Sequence, residues 1–238
     1  MTRLDAVVLS GFLLAASGLA CRGPAARNTS DAPAAAAASN VGGPTSAPAA
    51  KTTPPDQRVV TADEQRIMGN PNAKLWMLVV SDFQCPYCGQ WEHETAAQFK
   101  KEFVDAGLVR VAFINFPLGQ HENALPAAEA AMCAGAQSRF WAMHDKIFER
   151  QGAWSALPDA SAVFREMAKE LGLDLAAYDQ CIGTHVMRPM IEADRARASG
   201  AGAKSTPTFL IGNITIAGAE KIESFRTAVA QALKSASP

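Results

Sequence analysis

The sequence predicts an α/β fold in which a βαβ unit and a ββα unit flank a block of helices. The first observation is a short apolar run over Leu75–Ser81, followed by a helical pattern and a second strand pattern. The second is helical periodicity throughout residues 123–199. The third is Gly212-Asn213, a two-residue hairpin signal between two short strand patterns, with an amphipathic helix after them.

Composition allows one domain of ordinary size together with accessory segments. The chain has 238 residues, of which 48% are hydrophobic, so a sizeable core can form. Its formal net charge is -1, which gives no support to a nucleic-acid-binding surface. We therefore expect a globular protein that has no nucleic-acid partner.

The first residues resemble an export signal, and we expect residues 1–20 to form a signal peptide. Arg3 precedes an apolar run from Ala6 to Ala20, which is too short to span a bilayer comfortably. An uncleaved anchor or a buried helix is the alternative. We expect an exported protein that is periplasmic or faces the cell envelope.

Cys21 stands where a bacterial lipoprotein carries its acylated cysteine, so it is a possible lipid attachment site. The preceding Gly18-Leu19-Ala20 resembles the lipoprotein motif only in part, since leucine is usual at its first position. Simple cleavage and release is the alternative. Residues 21–56 are rich in alanine and proline and predict a disordered tether, which would reach on the order of 30 Å from a membrane.

The folded part is expected over residues 57–238, and its first elements form a βαβ unit. Leu75–Ser81 is a continuous apolar run, typical of a strand that is buried on both faces. Pro86–Ala106 has apolar residues at helical spacing and ends before Gly107. Leu108–Phe116 alternates as a second strand, which should lie parallel to the first.

A helical insertion is expected over about residues 120–200. Its helices are predicted at 128–132, 140–147, Ala162–Leu171, Leu175–Cys181 and Val186–Ala198. After it, Thr208–Ile211 and Ile214–Ala217 predict a hairpin. Glu220–Leu233 then predicts a closing amphipathic helix.

The chemistry is carried by Cys85-Pro86-Tyr87-Cys88, which lies between the first strand and the first helix. Proline suits the first helical position, so Pro86 places Cys85 at the helix start. Unpaired backbone N–H groups and the positive end of the helix dipole then lower the pKa of Cys85 below its ordinary value of about 8.5. Cys88 lies about one turn further along and is more shielded. We therefore predict Cys85 as the attacking sulfur and Cys88 as the resolving sulfur.

The chain has five cysteines, and four remain if Cys21 is lipidated or removed. The pairing that keeps the C-x-x-C cysteines together leaves Cys133 to bond with Cys181, as a structural disulfide suited to an exported protein. Two buried thiols are the alternative there. For Cys85 and Cys88 the alternatives are an inert disulfide or a zinc site. Because no second C-x-x-C supplies further ligands, we predict no metal.

Ser205-Thr206-Pro207-Thr208 precedes a strand, at a place where a cis proline can be used, although a trans proline is the alternative. Together with the C-x-x-C pair, this segment resembles the thioredoxin superfamily, in which a cis-proline strand packs beside the two cysteines. The resemblance implies that Thr206 and Pro207 bind substrate by main-chain pairing, beside Pro86 and Tyr87.

The helical insertion narrows the resemblance to DsbA-like thiol–disulfide oxidoreductases of the lipoprotein or anchored type, over approximately Val59–Leu233. The short sequence motifs that carry this resemblance are Gly69-Asn70-Pro71, Ser81-Asp82-Phe83-Gln84 and Phe116-Pro117-Leu118. Family members usually have a buried acid six residues before the first cysteine, where this chain has Val79. Asp82 is nearby but on a different face, so we expect slow turnover or proton transfer to Cys88 through water.

The resemblance implies an exported oxidase that donates its Cys85–Cys88 disulfide to unfolded or thiol-containing exported proteins. A membrane redox partner would reoxidise the pair, and no cofactor beyond the cysteines is expected. One alternative is a reductase or isomerase that works from the dithiol. Another is a non-enzymatic chaperone that binds peptide beside Pro207. The four histidines show no catalytic or ligand spacing, and His93 is expected on the surface.

Overall fold

Five strands form one mixed sheet in the computed structural model, which describes residue 54 and residues 56–235. They are β1 (Ile67–Met68), β2 (Leu75–Ser81), β3 (Val109–Asn115), β4 (Thr208–Ile211) and β5 (Ile214–Ala217). Their order across the sheet is β1-β3-β2-β4-β5. β2 and β3 are parallel, with Leu75 opposite Val109, and the other three pairs are antiparallel. The predicted α/β class and parallel βαβ unit are confirmed.

The expected signal peptide, Cys21 and nearly all of the expected tether lie outside the described residues. Asp56 is described, and its side chain accepts a hydrogen bond from the backbone N–H of Arg58. It thereby caps helix α1 (Gln57–Gln65). Within residues 56–235, no helix has both the length and the apolar character needed to cross a membrane.

Helix α1 and strand β1 are elements that the sequence does not predict. α1 buries only Ala62 completely, and β1 has two residues, so neither shows a clear apolar period. Arg66 joins the two elements and is buried. Its guanidinium group donates to the carbonyl oxygen of Phe113 and to the carboxylate of Asp194. Contacts with distant residues therefore stabilise this segment.

Strand β2 is buried along one face but not along both. Leu75, Met77 and Val79 are at most 4% exposed, whereas Trp76 is 40% exposed. The expectation of two buried faces is therefore wrong at Trp76. The guanidinium group of Arg110 lies 4.7 Å from the centre of that indole and covers it in place of an apolar layer.

A continuous helix, α2, follows β2 over residues 86–104. It begins as Pro86–Trp91 and continues through Glu92–Ala96, Ala97–Phe99 and Lys100–Val104, of which the second and fourth segments are π-helical. Trp91 and Phe99 contact Phe225 of the last helix, α9 (Ile222–Ser235). These aromatic contacts position the start of α2 relative to the sheet.

Six helices occupy residues 124–200, where the sequence predicts a helical insertion. They are α3 (Ala124–Gly135), α4 (Phe140–Glu149), α5 (Gln151–Trp154), α6 (Ser161–Glu170), α7 (Leu175–Gly183) and α8 (Arg188–Gly200). The short helix α5 has no counterpart in the sequence prediction. Cys133 of α3 and Cys181 of α7 are both buried and are joined by a disulfide.

Candidate active site

The cysteine pair lies where β2 ends and α2 begins. Cys85 precedes the helix with extended backbone angles, φ −68° and ψ 124°, and Pro86 takes the first helical position. Cys85 and Cys88 are buried and are not bonded to each other. Between them, Pro86 and Tyr87 are exposed, Tyr87 by 62%. The turn thus presents its middle to solvent and its sulfurs to the protein.

The two thiols have opposite pKa shifts. A hydrogen bond from the Cys88 thiol is the main cause that lowers the pKa of Cys85 to about 6, against the effect of burial. The Thr206 hydroxyl and the backbone N–H groups of Cys88 and Tyr87 lower it further. Burial raises the pKa of Cys88 well above its ordinary value, and the interaction with Cys85 adds to this. At neutral pH, Cys85 is therefore largely a thiolate and Cys88 a thiol.

The Thr206–Pro207 segment lies beside the first sulfur, although 121 positions separate Thr206 from Cys85. When Cys85 is protonated, its thiol donates a hydrogen bond to the carbonyl oxygen of Thr206 at 3.4 Å. The Thr206–Pro207 peptide bond is cis, and Thr208 then pairs with Val80 near the end of β2. The Thr206 hydroxyl is buried and makes no hydrogen bond to the described residues, so it is available to a Cys85 thiolate.

Asp82 is a buried acid that organises the turn before the pair. One carboxylate oxygen accepts hydrogen bonds from the backbone N–H groups of Gln84 and Cys85. The other lies 2.7 Å from Nδ1 of His121, a pairing that the sequence does not indicate. Asp82 contacts the Cys88 sulfur through its backbone N–H, at 3.5 Å. The carboxylate thus stabilises the turn, while the main chain contacts the resolving sulfur.

Val79, at the position where an acid is usual, lines an apolar cavity of about 520 Å³ with Glu92 and His144. Neither cysteine lines this cavity. The Nε2 atom of His144 lies 3.5 Å from Glu92, and its Nδ1 atom lies 2.8 Å from Asp145. Burial lowers the pKa of His144, but these two carboxylates outweigh burial and raise it to about 9. The ion pair links α2 to α4, a contact that sequence spacing does not indicate.

Two amide side chains connect the segment before the helix to the helical insertion. Gln84 accepts a hydrogen bond from the backbone N–H of Asn123 at 2.6 Å. Gln151 donates to the carbonyl oxygens of Phe83 and Cys85, at 2.7 and 3.0 Å. Sequence reasoning misses these residues because an amide that bonds to backbone leaves no periodic signal.

The remaining candidates lie elsewhere. Cys133 and Cys181 are bonded to each other and so cannot serve as zinc ligands. Among the residues that the structure describes, no three His, Cys, Asp or Glu side chains are grouped so that they could hold a metal ion. His93 is exposed on α2, and His185 pairs with the buried Glu129 at 2.9 Å. The chemistry of the site therefore depends on its two thiols.

The sheet, the inserted helices and the C-x-x-C pair beside Thr206 and Pro207 together are the features of a thioredoxin-like fold. A family model described as Thioredoxin matches residues 61–231, and the chain belongs to that family. Among solved structures, alpha-DsbA1 of Wolbachia pipientis has a TM-score of 0.65 at 21% identity, with 72% of this chain and 92% of that chain covered. The chain therefore has the DsbA-like form of the thioredoxin fold, which confirms the predicted resemblance.

Two curated relatives match parts of the chain. The Na(+)/H(+) antiporter NhaA 3 of Salinispora tropica is 32% identical over 178 residues, which are 74% of this chain and 26% of that protein. The probable disulfide bond formation protein D of Bacillus anthracis is 33% identical over 88 residues, which are 37% of this chain and 41% of that protein. The match thus spans about a quarter of the first relative's length and less than half of the second's.

Proposed function

We propose that this chain catalyses dithiol–disulfide exchange with exported proteins and works as an oxidase. The observation that carries the proposal is the contrast between the two thiols, with a pKa of about 6 for Cys85 and a strongly raised pKa for Cys88. A stabilised Cys85 thiolate stabilises the reduced form, which makes the Cys85–Cys88 disulfide a stronger oxidant. With a pKa of about 6, Cys85 is more acidic than the corresponding cysteine of thioredoxin, at about 7, and this difference favours the oxidase direction.

In the proposed reaction, a substrate thiolate attacks the Cys85 sulfur and the Cys85–Cys88 bond breaks. Cys88 takes the electron pair and then a proton, because its pKa is raised. A second substrate thiolate attacks the substrate sulfur of the mixed disulfide, and Cys85 leaves as the thiolate that its low pKa favours. The substrate gains a disulfide, and the cysteine pair gains two electrons. A membrane redox partner would remove those electrons, with no further cofactor in this chain.

We infer that the substrate peptide lies against Thr206 and Pro207, with Pro86 and Tyr87 at the exposed edge. The Thr206 carbonyl oxygen is 3.4 Å from the Cys85 sulfur, so a peptide that is bonded to this sulfur must pass the segment. Tyr87 is 62% exposed and offers apolar surface to an unfolded chain. Main-chain pairing beside Pro207 would bind many sequences with little preference.

We further propose export, with Cys21 as the membrane attachment. The Cys133–Cys181 disulfide supports an oxidising compartment. The Bacillus anthracis relative is a probable disulfide bond formation protein, which agrees with a compartment where disulfides form. In an expressing bacterium, Cys21→Ser should move the protein from the membrane fraction to the soluble periplasmic fraction. An unchanged membrane fraction would show that Cys21 is not the anchor.

The reduction potential of Cys85–Cys88 tests the direction of electron flow. Equilibration with a glutathione buffer should give a value near that of DsbA, about −120 mV, whereas about −270 mV would indicate a reductase. Cys85→Ser should abolish oxidation of a reduced, unfolded substrate, and Cys133→Ala/Cys181→Ala should retain it. If a Cys85→Ser/Cys88→Ser protein assists folding as well as the unaltered chain does, the protein is a chaperone instead.

A further inference from the structure

We propose that Gln151 is a positioning residue for the redox pair, through which the helical insertion sets the reactivity of Cys85. The inference rests on the proposed function and adds to it a group outside the C-x-x-C and proline segments. Gln151 begins α5 and follows Cys85 by 66 positions. Its amide reaches the backbone of the residue that carries the attacking sulfur.

The contacts of Gln151 converge on the carbonyl groups at the start of α2. Its Nε2 atom donates to the carbonyl oxygen of Phe83 at 2.7 Å and to that of Cys85 at 3.0 Å. The Cys85 carbonyl also accepts the first helical hydrogen bond, from the N–H of Gly89 at 3.1 Å. The orientation of Cys85 is therefore determined both by its own helix and by the insertion.

The hydrogen bond that Gln151 donates to the Cys85 carbonyl oxygen also affects the Cys85 sulfur. The carbonyl oxygen carries partial negative charge, which opposes a thiolate on Cys85. The N–H group of Gln151 offsets that charge, and Cys85 is only 4% exposed, so water screens the effect weakly. Loss of the donor should therefore make the thiolate less stable and raise the pKa of Cys85.

The surroundings leave the Gln151 amide little freedom. A Cβ atom at Gly89 would lie only 2.4 Å from Oε1 of Gln151, so glycine is required for this close approach. Ser155, at the end of α5, accepts a hydrogen bond from the side chain of Gln84 at 2.7 Å. Both ends of the short helix are thus bonded to the segment that contains Phe83, Gln84 and Cys85.

Two substitutions break the Gln151 contacts by independent routes. Gln151→Glu keeps the shape of the side chain but replaces its donor by an oxygen that faces two carbonyl groups. Gly89→Ala leaves Gln151 in the sequence but displaces its amide. In the Gly89→Ala protein we expect the rate of alkylation of Cys85 by iodoacetamide, measured at about pH 5, to fall roughly threefold, as the loss of one hydrogen bond implies. In the Gln151→Glu protein the fall should be at least as large, because an ionised carboxylate also opposes the Cys85 thiolate.

Gln137→Glu is a matched control. The amide of Gln137 also makes two hydrogen bonds to backbone, with the carbonyl oxygen and the N–H of Asp174. This substitution should leave the pH profile of alkylation unchanged. If Gln151→Glu lowers the free energy of unfolding but keeps the pH midpoint of the unaltered chain, Gln151 is merely structural and the proposal is wrong. Alkylation requires no protein substrate, so this outcome is independent of whether the chain oxidises exported proteins.

Discussion

The pKa of Cys85 is lowered by groups in two distant parts of the chain. The Cys88 thiol and the backbone N–H of Tyr87 come from its own helix, and the Thr206 hydroxyl comes from the segment before β4. The reactivity of Cys85 therefore follows from the groups that surround its sulfur atom. Cys88 lowers the pKa of Cys85 as a hydrogen-bond donor. It can act as a donor because its own burial keeps it protonated.

Substitution of Cys88 should therefore change the pKa of Cys85. In the unaltered reduced protein, alkylation of Cys85 should slow as the pH falls through about 6, since the thiolate is the nucleophile. Cys88→Ala removes the main donor and should move the midpoint upward, toward the ordinary value of about 8.5. Cys88→Ser retains a donor and should lie between the two. Identical profiles for the alanine and serine variants would contradict this account.

Helix α8 is attached to the sheet through Asp194, a side chain with no exposed surface. Its carboxylate accepts hydrogen bonds from Arg66 beside β1 and from the side-chain amide of Asn115 at the end of β3. Arg197 adds a contact of 2.7 Å from the same helix. The acid therefore connects α8 and the end of β3 to the segment between α1 and β1.

Asp194→Ala should lower the free energy of unfolding by about 3 kcal/mol, because it removes the buried carboxylate that faces Arg66 and leaves the half-exposed Asp63 as its ionic partner. Arg66→Met/Asp194→Leu should cost less than the sum of the single substitutions, since it leaves no buried charge. Urea unfolding measures both. Glu102→Gln, which removes one of the two acidic partners of Arg226 at the protein surface, is the control and should cost less than about 1 kcal/mol. If Asp194→Ala lowers the free energy of unfolding as little as the control does, the contacts of Asp194 with Arg66 do not stabilise the fold.

In the molecule as a whole, the active site lies between the sheet and the inserted helices. The Cys133–Cys181 disulfide joins α3 to α7 entirely within the insertion. The bond closes a loop with a sequence separation of 48, which restricts the unfolded chain. It is therefore expected to contribute to stability without taking part in the exchange at Cys85 and Cys88.

Removal of this disulfide should separate stability from activity. For a loop of this length, chain entropy predicts that Cys133→Ala/Cys181→Ala lowers the free energy of unfolding by about 4 kcal/mol. Unfolding should be compared in a Cys85→Ser/Cys88→Ser background, so that only one disulfide differs. In the chain with its redox pair intact, the potential should stay the same. A large change in the reduction potential of Cys85–Cys88 would show that the Cys133–Cys181 disulfide is coupled to the redox pair.

Much of the fold could be predicted because its elements follow local rules. β4 and β5 occur at the predicted residues, with Gly212 at φ +58° in the turn between them. The short α5 and β1 could not be predicted, since four and two residues are too few to show a period. In the site, Cys85 could be placed at the helix start from Pro86 alone.

By itself, the sequence determined the longer strands, most of the helices and the start of α2, because apolar spacing and proline act over a few neighbouring positions. Only the tertiary structure decided that Thr206 meets the Cys85 sulfur, that Gln151 meets its carbonyl group and that Asp194 meets Arg66. These contacts join residues 121, 66 and 128 positions apart. A polar side chain that bonds to a distant group carries no local pattern, so its partner depends on the path of the whole chain.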